Sequence, residues 1–313
     1  MTWQPSASID TLRLRANLII KIRDFFNKRG YLEVETPQMA RFGVTDVYLS
    51  NIKASFRGQD YCLQTSPEYH MKRLLAAGSG PIFQIARAFR DDELGRWHNP
   101  EFTMLEWYQL GIDHHALMDE MDELLQLILQ CTPLIKKTYQ QAFYEVCDID
   151  VLSASIEELQ ATLLRFNLDN VLAHNEQDRD QYLFLLMSHI VEPAISQDNM
   201  VAVYNFPPSQ AALAQVRDGV AERFEIYCQG IELANGFHEL TDVQSQSARF
   251  NQDCLQRQEK GLPVSIPDEF LLGALSAGLP PCSGVALGID RLIALALKQR
   301  ELSSVLAFDF SRA

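Results

Sequence analysis

The stretch Phe89–Tyr108, FRDDELGRWHNPEFTMLEWY, decides how this chain is read. It closes one strand-like run, Ile82–Arg90, and contains a second, Phe102–Tyr108, with the polar segment Asp91–Glu101 between them. Two such runs joined through a polar connection predict a hairpin with a long loop. Alternate residues of a strand share a face, so Phe102, Met104, Glu106 and Tyr108 point the same way. An aromatic plate, a carboxylate and a phenol then stand in one row beneath a loop that carries Arg90, Arg96 and His98. Such a surface suits a flat heteroaromatic ring stacked on Phe102 and an anionic phosphate chain held by guanidinium groups. A solvated surface hairpin would be spelled with the same letters.

On the N-terminal side, Leu12, Leu18, Ile19, Ile22, Phe25 and Phe26 follow a helical period, with Asp10 placed to cap the helix and Gly30 placed to end it. Tyr31–Glu35 reads as a short strand stopped by Thr36-Pro37, because the residue before a proline is pushed out of helical geometry. Tyr61–Gln64 reads as another strand. Ser66-Pro67-Glu68 then supplies an N-cap, a first-turn proline and a first-turn acid for a helix running to about Ala77, closed by Gly78. On the C-terminal side, residues 113–203 are mainly helical and acidic, with Leu117, Met121, Leu124, Leu125 and Ile128 on one face. They read as helical decoration within a single catalytic domain spanning 1–313. Strands resume at Ala221–Tyr227 and, after a turn at Gln229-Gly230, at Ile231–Ala234. The strands pair through hairpins instead of alternating regularly with helices, which predicts an α+β fold with an antiparallel sheet flanked by helices.

Two further segments carry candidate chemistry. In GIELANGFHEL, Gly230–Leu240, Glu232 and Glu239 are seven apart and would lie on opposite faces of an unbroken strand. A break or bulge at Asn235-Gly236 would let both carboxylates converge on a cation such as Mg²⁺, which prefers oxygen ligands. Two exposed acids on an edge strand are the ordinary alternative. In SGVALGIDRLIALAL, Ser283–Leu297, Gly288 permits close backbone approach and Arg291 lies in the first turn of a helix, where a guanidinium can meet a polyphosphate. A surface salt bridge is the alternative there.

The 27 basic residues are outnumbered by 41 acidic ones, a formal charge of -14 that opposes the phosphate neutralisation on which nucleic-acid affinity depends. The six cysteines form no C-x-x-C pair and have no His at zinc-ligand spacing, so they read as reduced thiols of a cytoplasmic protein. No signal peptide is visible at the N-terminus. Phe270–Ile289 has no charged residue over a length that could span a membrane, but four glycines and Pro280-Pro281 make it buried core instead.

Taken together and in this order, the segments resemble the three signature motifs of the class II aminoacyl-tRNA synthetases. FFNKRGYLEVETP, Phe25–Pro37, is similar to motif 1, FRDDELGRWHNPEF to motif 2 and GVALGIDR to motif 3, while TSPEYHMKRLL, HNPEFTMLEWY and ELANGFHEL are similar to the lysyl branch. Motif 1 begins within the first thirty residues, leaving no room for the anticodon-binding barrel that precedes it in whole synthetases. The resemblance therefore narrows to the stand-alone lysyl paralogues that activate lysine, preferably (R)-β-lysine, with ATP and join it to a lysine of elongation factor P.

That resemblance implies a homodimer formed through motif 1 and roles for individual residues. Arg90 would clamp the α-phosphate and Arg291 would approach from the other side, these two being the catalytic pair. Phe102 would stack on adenine, with Asp91, Asp92, His98, Asn99, Glu232, Leu233 and Gly288 completing the ATP site. Ser66, Pro67, Glu68, Tyr108 and Glu239 would hold the amino acid, and Glu232 with Glu239 would hold Mg²⁺. Two positions depart from the family: Asp92 stands where motif 2 has a longer Glu that reads adenine, and Ala286 stands where motif 3 has glycine, reshaping the pocket floor toward a substrate with a displaced amine. A free-standing core acting on tRNA or a small amine, and a catalytically silent regulatory paralogue, are the competing readings.

Overall fold

Burial of the apolar stripe of the first helix sets the frame for the rest. The computed structural model describes residues 3–91, 94–173 and 175–313. In chain order the elements begin with α1 Ile9–Lys28, β1 Leu32–Glu33, β2 Met39–Ala40, β3 Lys53–Phe56, β4 Gln59–Leu63, α2 Glu68–Ala76, β5 Ile82–Phe89, β6 Glu101–Leu110 and α3 His114–Leu129. They continue with β7 Ile135–Thr138, α4 Tyr139–Cys147, α5 Ile156–Arg165, α6 Arg179–Leu186, α7 Glu192–Ser196, β8 Met200–Phe206, β9 Val216–Arg217, β10 Val220–Cys228 and β11 Ile231–His238. The last elements are α8 Val243–Glu259, α9 Glu269–Gly278, β12 Cys282–Gly288 and α10 Ile289–Ala296. The chain divides into two compact units, one reaching to Gln130 and resuming at Glu239–Ala313, the other Cys131–His238.

In the first unit the sheet runs β1-β5-β6-β12, with β1 parallel to β5 and the other neighbours antiparallel. A small sheet of order β2-β4-β3 accompanies it. The α1 helix buries Ile22, Phe25 and Phe26, and the Phe26 ring stacks on Phe83 of β5 with centroids 4.7 Å apart. A buried phenylalanine of this kind contributes roughly 2–3 kcal/mol by transfer alone. Ser8, not Asp10, caps α1: its side chain accepts from Thr11 N, while Asp10 sits in the first turn and pairs with Arg13. Gly30 does follow the helix, at φ +77°.

In the second unit the strands run in the order β7-β8-β10-β11, with β7 parallel to β8, the rest antiparallel, and β9 paired to β10. Its core gathers Tyr139, Phe143, Leu159, Leu183, Leu186, Val191, Val201, Val203 and Tyr227. The expected helical stretch of 113–203 therefore also contains β7 and the start of β8, and α3 belongs to the first unit. Phe270–Ile289 resolves into α9, the proline pair and β12, and among the described residues no helix is long and apolar enough to cross a membrane.

One buried carboxylate ties three elements of the first unit together. Asp290, at the start of α10, accepts from Arg15 Nη2 of α1 at 2.6 Å and from Thr103 N of β6 at 2.7 Å. Removing it strands a mostly buried guanidinium and a backbone donor. Asp290→Ala is expected to lower unfolding stability by about 3–5 kcal/mol, read from the urea midpoint at unchanged slope.

Candidate active site

A carboxylate in the middle of a buried strand is tolerated only if both its oxygens find donors. Glu106 of β6 is 2% exposed. Tyr108, two residues along the same face, donates its hydroxyl to Glu106 Oε1 at 2.6 Å, and Ser66 Oγ donates to Oε2 at 2.5 Å. Ser66 Oγ also accepts from Glu68 N at 3.1 Å, so one hydroxyl orders both the carboxylate and the start of α2. The capping reading of Ser66 shifts by one residue: Pro67 occupies the cap position and makes no side-chain cap bond.

One turn into α2, Lys72 meets two more acids. Its Nζ lies 2.6 Å from Glu68 Oε1 and 2.6 Å from Glu239 Oε2. Lys72 is 2% exposed and Glu239 is fully enclosed. Glu68 and Glu239 thus share a single ammonium whose charge also acts on Glu106, leaving the pocket two negative charges in excess when all three are ionised. Burial, reinforced by the Glu68 charge, pushes Glu106 up to about 8 against the pull of Ser66 and Tyr108. Burial likewise raises Glu239 to about 8, although Lys72 works in the opposite direction. Lys72 is held above the ordinary lysine range, because the Glu239 and Glu68 charges outweigh its own desolvation.

The floor of this pocket is β12, whose residues Gly284, Ala286 and Gly288 lie opposite Tyr108, Glu106 and Met104. A Cβ at Gly284 would come within 2.2 Å of the Tyr108 ring and 2.7 Å of Glu239 Oε1, so only glycine fits there. Ala286 places one methyl beside Glu106. At Gly288 a Cβ would meet only Arg291 side-chain carbons at 3.7–3.8 Å, an ordinary contact, so this glycine is not demanded by the chain itself.

The residues expected to meet a nucleotide lie on the β5–β6 loop, the start of β6 and α10. Phe102 is half-buried, with the Arg90 guanidinium 5.1 Å from its ring centroid. Arg291 donates from Nε to the Trp97 carbonyl at 3.1 Å and from Nη2 to His98 Nε2 at 2.8 Å, clasping the loop onto the helix start. Asp91 ties the loop base through its backbone N–H to the Ser50 carbonyl at 3.0 Å. Asn99, expected to line the nucleotide, has its side-chain amide engaged within the chain: its Nδ2 donates to the Glu101 carbonyl at 2.5 Å and its Oδ1 accepts from Phe310 N at 3.1 Å. Both ends of the amide already serve the chain's own backbone. Asp92 lies outside the described residues.

Glu232 and Leu233 belong to the second unit, on β11. There a bulge does occur, but at Leu233 and not at Asn235-Gly236: Tyr227 pairs with Glu232 and Ile226 with Ala234, while Asn235 and Gly236 stay in register with Glu225 and Phe224. The extra residue resets the alternation, so that Leu233 and Ala234 are buried in succession and Glu232 falls on the face of Asn235 and Phe237. Arg223 reinforces that face, donating to Asn235 Oδ1 at 3.2 Å. One oxygen of Glu239, Oε2, carries the Lys72 ammonium at 2.6 Å, so a cation at this carboxylate would be met by Oε1.

Sequence reasoning placed Ser66, Glu68, Tyr108, Glu239 and Ala286 in one pocket, and the first unit brings them together. It noticed Glu106 on the strand face without giving it a role, and it passed over Lys72 and Gly284. The Glu68–Lys72 spacing of four on a helix was the available signal for Lys72. Nothing local marks Gly284.

With this geometry in view, comparison with known proteins is decisive. The family described as tRNA synthetases class II (D, K and N) matches residues 2–312. The chain belongs to the class II tRNA synthetase family. The antiparallel arrangement of its main strands and flanking helices agrees with the fold expected of that family, and its chemistry is that of an ATP-dependent amino-acid ligase. Among relatives, the elongation factor P (R)-β-lysine ligase of Pasteurella multocida is 53% identical over 320 residues, covering 99% of this chain and 98% of that protein. The protein of the same name from Salmonella paratyphi B is 52% identical over 321 residues, covering 100% of this chain and 98% of its own.

The displaced Glu106 titration has a measurable sign. Between its ordinary 4.5 and about 8, the folded protein keeps a proton that the unfolded chain has released. Stability of the unliganded protein should therefore fall as pH rises through that window, and Glu106→Gln should flatten the slope by an amount on the order of a few kcal/mol across it, measured by urea unfolding at a series of pH values. A substrate carrying ammonium groups favours the ionised carboxylate, so its binding should release protons near pH 7, visible by calorimetry in buffers of different ionisation enthalpy.

Proposed function

We propose that this protein is an AMP-forming ligase that activates lysine, preferably (R)-β-lysine, as an aminoacyl-adenylate and transfers it to a lysine side chain of translation elongation factor P. The observation that carries the proposal is the enclosed pocket in which Glu68, Glu106 and Glu239 outnumber Lys72 by two charges. An amino acid with two ammonium groups supplies the missing charge. The acceptor is inferred from the activity named for the relatives at 52–53% identity.

In the first step a carboxylate oxygen of the amino acid attacks the α-phosphorus of ATP, and the bond to the β-phosphate oxygen breaks with release of pyrophosphate. Arg90 and Arg291 stabilise the charge that develops on the phosphoryl oxygens, and Phe102 supports the adenine ring. Gly288 completes the nucleotide side of the first unit, and Mg²⁺ carried on the triphosphate would offset its negative charge. In the second step an unprotonated acceptor amine attacks the adenylate carbonyl, an amide bond forms, and AMP departs. Ser66, Tyr108, Glu68 and Glu239 keep the substrate amines in place throughout. The protein works in the cytoplasm as a homodimer formed through residues 25–37.

Incubation with ATP, each lysine isomer and elongation factor P, followed by intact mass, tests the whole reading. One added lysine residue on the factor is the expected result; charged tRNA beside an unmodified factor would move the assignment to a truncated aminoacylating core. No pyrophosphate exchange with any lysine isomer would leave only a regulatory paralogue.

Ala286 gives a second test. Its methyl narrows the floor beside Glu106. Ala286→Gly is expected to shift the ratio of kcat/KM values for β-lysine and α-lysine toward α-lysine by roughly tenfold, since a methyl in a pocket is worth about 1–3 kcal/mol of discrimination.

A further inference from the structure

Lys72 has no assigned part in the chemistry above, yet the first unit places its side chain between two of the pocket acids. Its ammonium spans Glu68 Oε1 and Glu239 Oε2 at 2.6 Å each, almost without solvent contact. Those acids come from distant parts of the chain, Glu68 from the start of α2 and Glu239 from just beyond β11. Glu239 is anchored there by its backbone N–H, which donates to the Cys282 carbonyl at 3.0 Å. Without a cation between them the two carboxylates would repel across a space from which water is excluded.

The remaining acid is treated differently. Among the described residues Glu106 receives two neutral donors, the hydroxyls of Ser66 and Tyr108, and the Lys72 charge acts on it more weakly than burial and those hydrogen bonds do. One of three acidic charges is thus neutralised within the protein, and two are left for a ligand. An ammonium offers three N–H donors, of which the two carboxylates take two.

We propose that Lys72 is a positioning and specificity-determining residue: it fixes Glu68 and Glu239 one ammonium's width apart and sets the pocket's residual charge to match a substrate with two ammonium groups. This rests on the ligase reading and deepens it. A neutral residue at 72 leaves three acidic charges facing two ammonium groups and allows a substrate amine to settle into the vacated position, out of register with the α-phosphate. Binding in the productive register suffers, while the reacting groups themselves are untouched.

The test is amino-acid-dependent pyrophosphate exchange by the full chain, with Lys72→Met, Lys72→Ala and Lys72→Arg, after thermal melts establish which variants fold. Lys72→Met is expected to raise KM for β-lysine by about tenfold or more with kcat within about threefold of the parent. Lys72→Ala should recover toward the parent KM on addition of n-propylammonium, saturably, and not on addition of n-propanol. An unchanged KM, a loss confined to kcat, or a folded Ala variant that the amine does not rescue would each overturn the proposal. If neither neutral variant folds, Lys72→Arg decides: a retained preference for β-lysine over norleucine, which lacks the second ammonium, supports the charge-setting role, and loss of that preference refutes it. No exchange by the parent chain would instead defeat the ligase reading, and this inference with it.

Discussion

Burying carboxylates in excess is costly, and the architecture of the first unit is arranged around doing so. Three acids share an enclosed pocket with one lysine, and each is held by a different device: two hydroxyls for Glu106, an ammonium within the same helix for Glu68, and that same ammonium for Glu239. Burial opposes the ionisation of Glu106 and Glu239 and pushes both up to about 8. A pocket in that condition is primed for cations, because every ammonium that enters relieves a penalty the fold already carries. The glycine at position 284 follows from the same constraint, since Tyr108 and Glu239 close in on the space where a side chain would begin.

The β5–β6 loop and the start of α10, where a nucleotide is proposed to bind, are governed by tethering more than by burial. Arg291 reaches across to His98 and the Trp97 carbonyl, Asp91 is tied to Ser50, and Asn99 is tied to Phe310. Each end of the β5–β6 loop is therefore fixed by a hydrogen bond to a distant part of the chain. Arg90 over Phe102 offers a cation and an aromatic face side by side, a pairing that suits an adenine ring next to a phosphate chain.

Much of this was readable from local pattern. Alternation along Phe102–Tyr108 put Glu106 and Tyr108 on one face, and they are on one face. The odd spacing of Glu232 and Glu239 demanded an irregularity in the strand, and a bulge is there, at Leu233 instead of Asn235-Gly236. An Asn-Gly pair is the strongest local breaker in that segment, yet the pairing with Glu225 and Phe224 holds it in register, because cross-strand hydrogen bonds outweigh the preference of two residues. Likewise Ser8 displaced Asp10 as the cap of α1, a choice between two competent residues two positions apart that propensity alone does not resolve.

The sequence by itself determined many of the element types outside 113–203, the hairpin with its long loop, the motif order and therefore the family, since these depend on neighbours within a few residues or on the wording of contiguous segments. Only tertiary structure decided that Lys72 lies between Glu68 and Glu239, that Asn99 is bound to Phe310, and that position 284 has no room for a side chain. The reason is physical: these contacts join residues as far apart as 72 and 239 or 99 and 310, and no periodicity of one segment encodes where another will be placed against it.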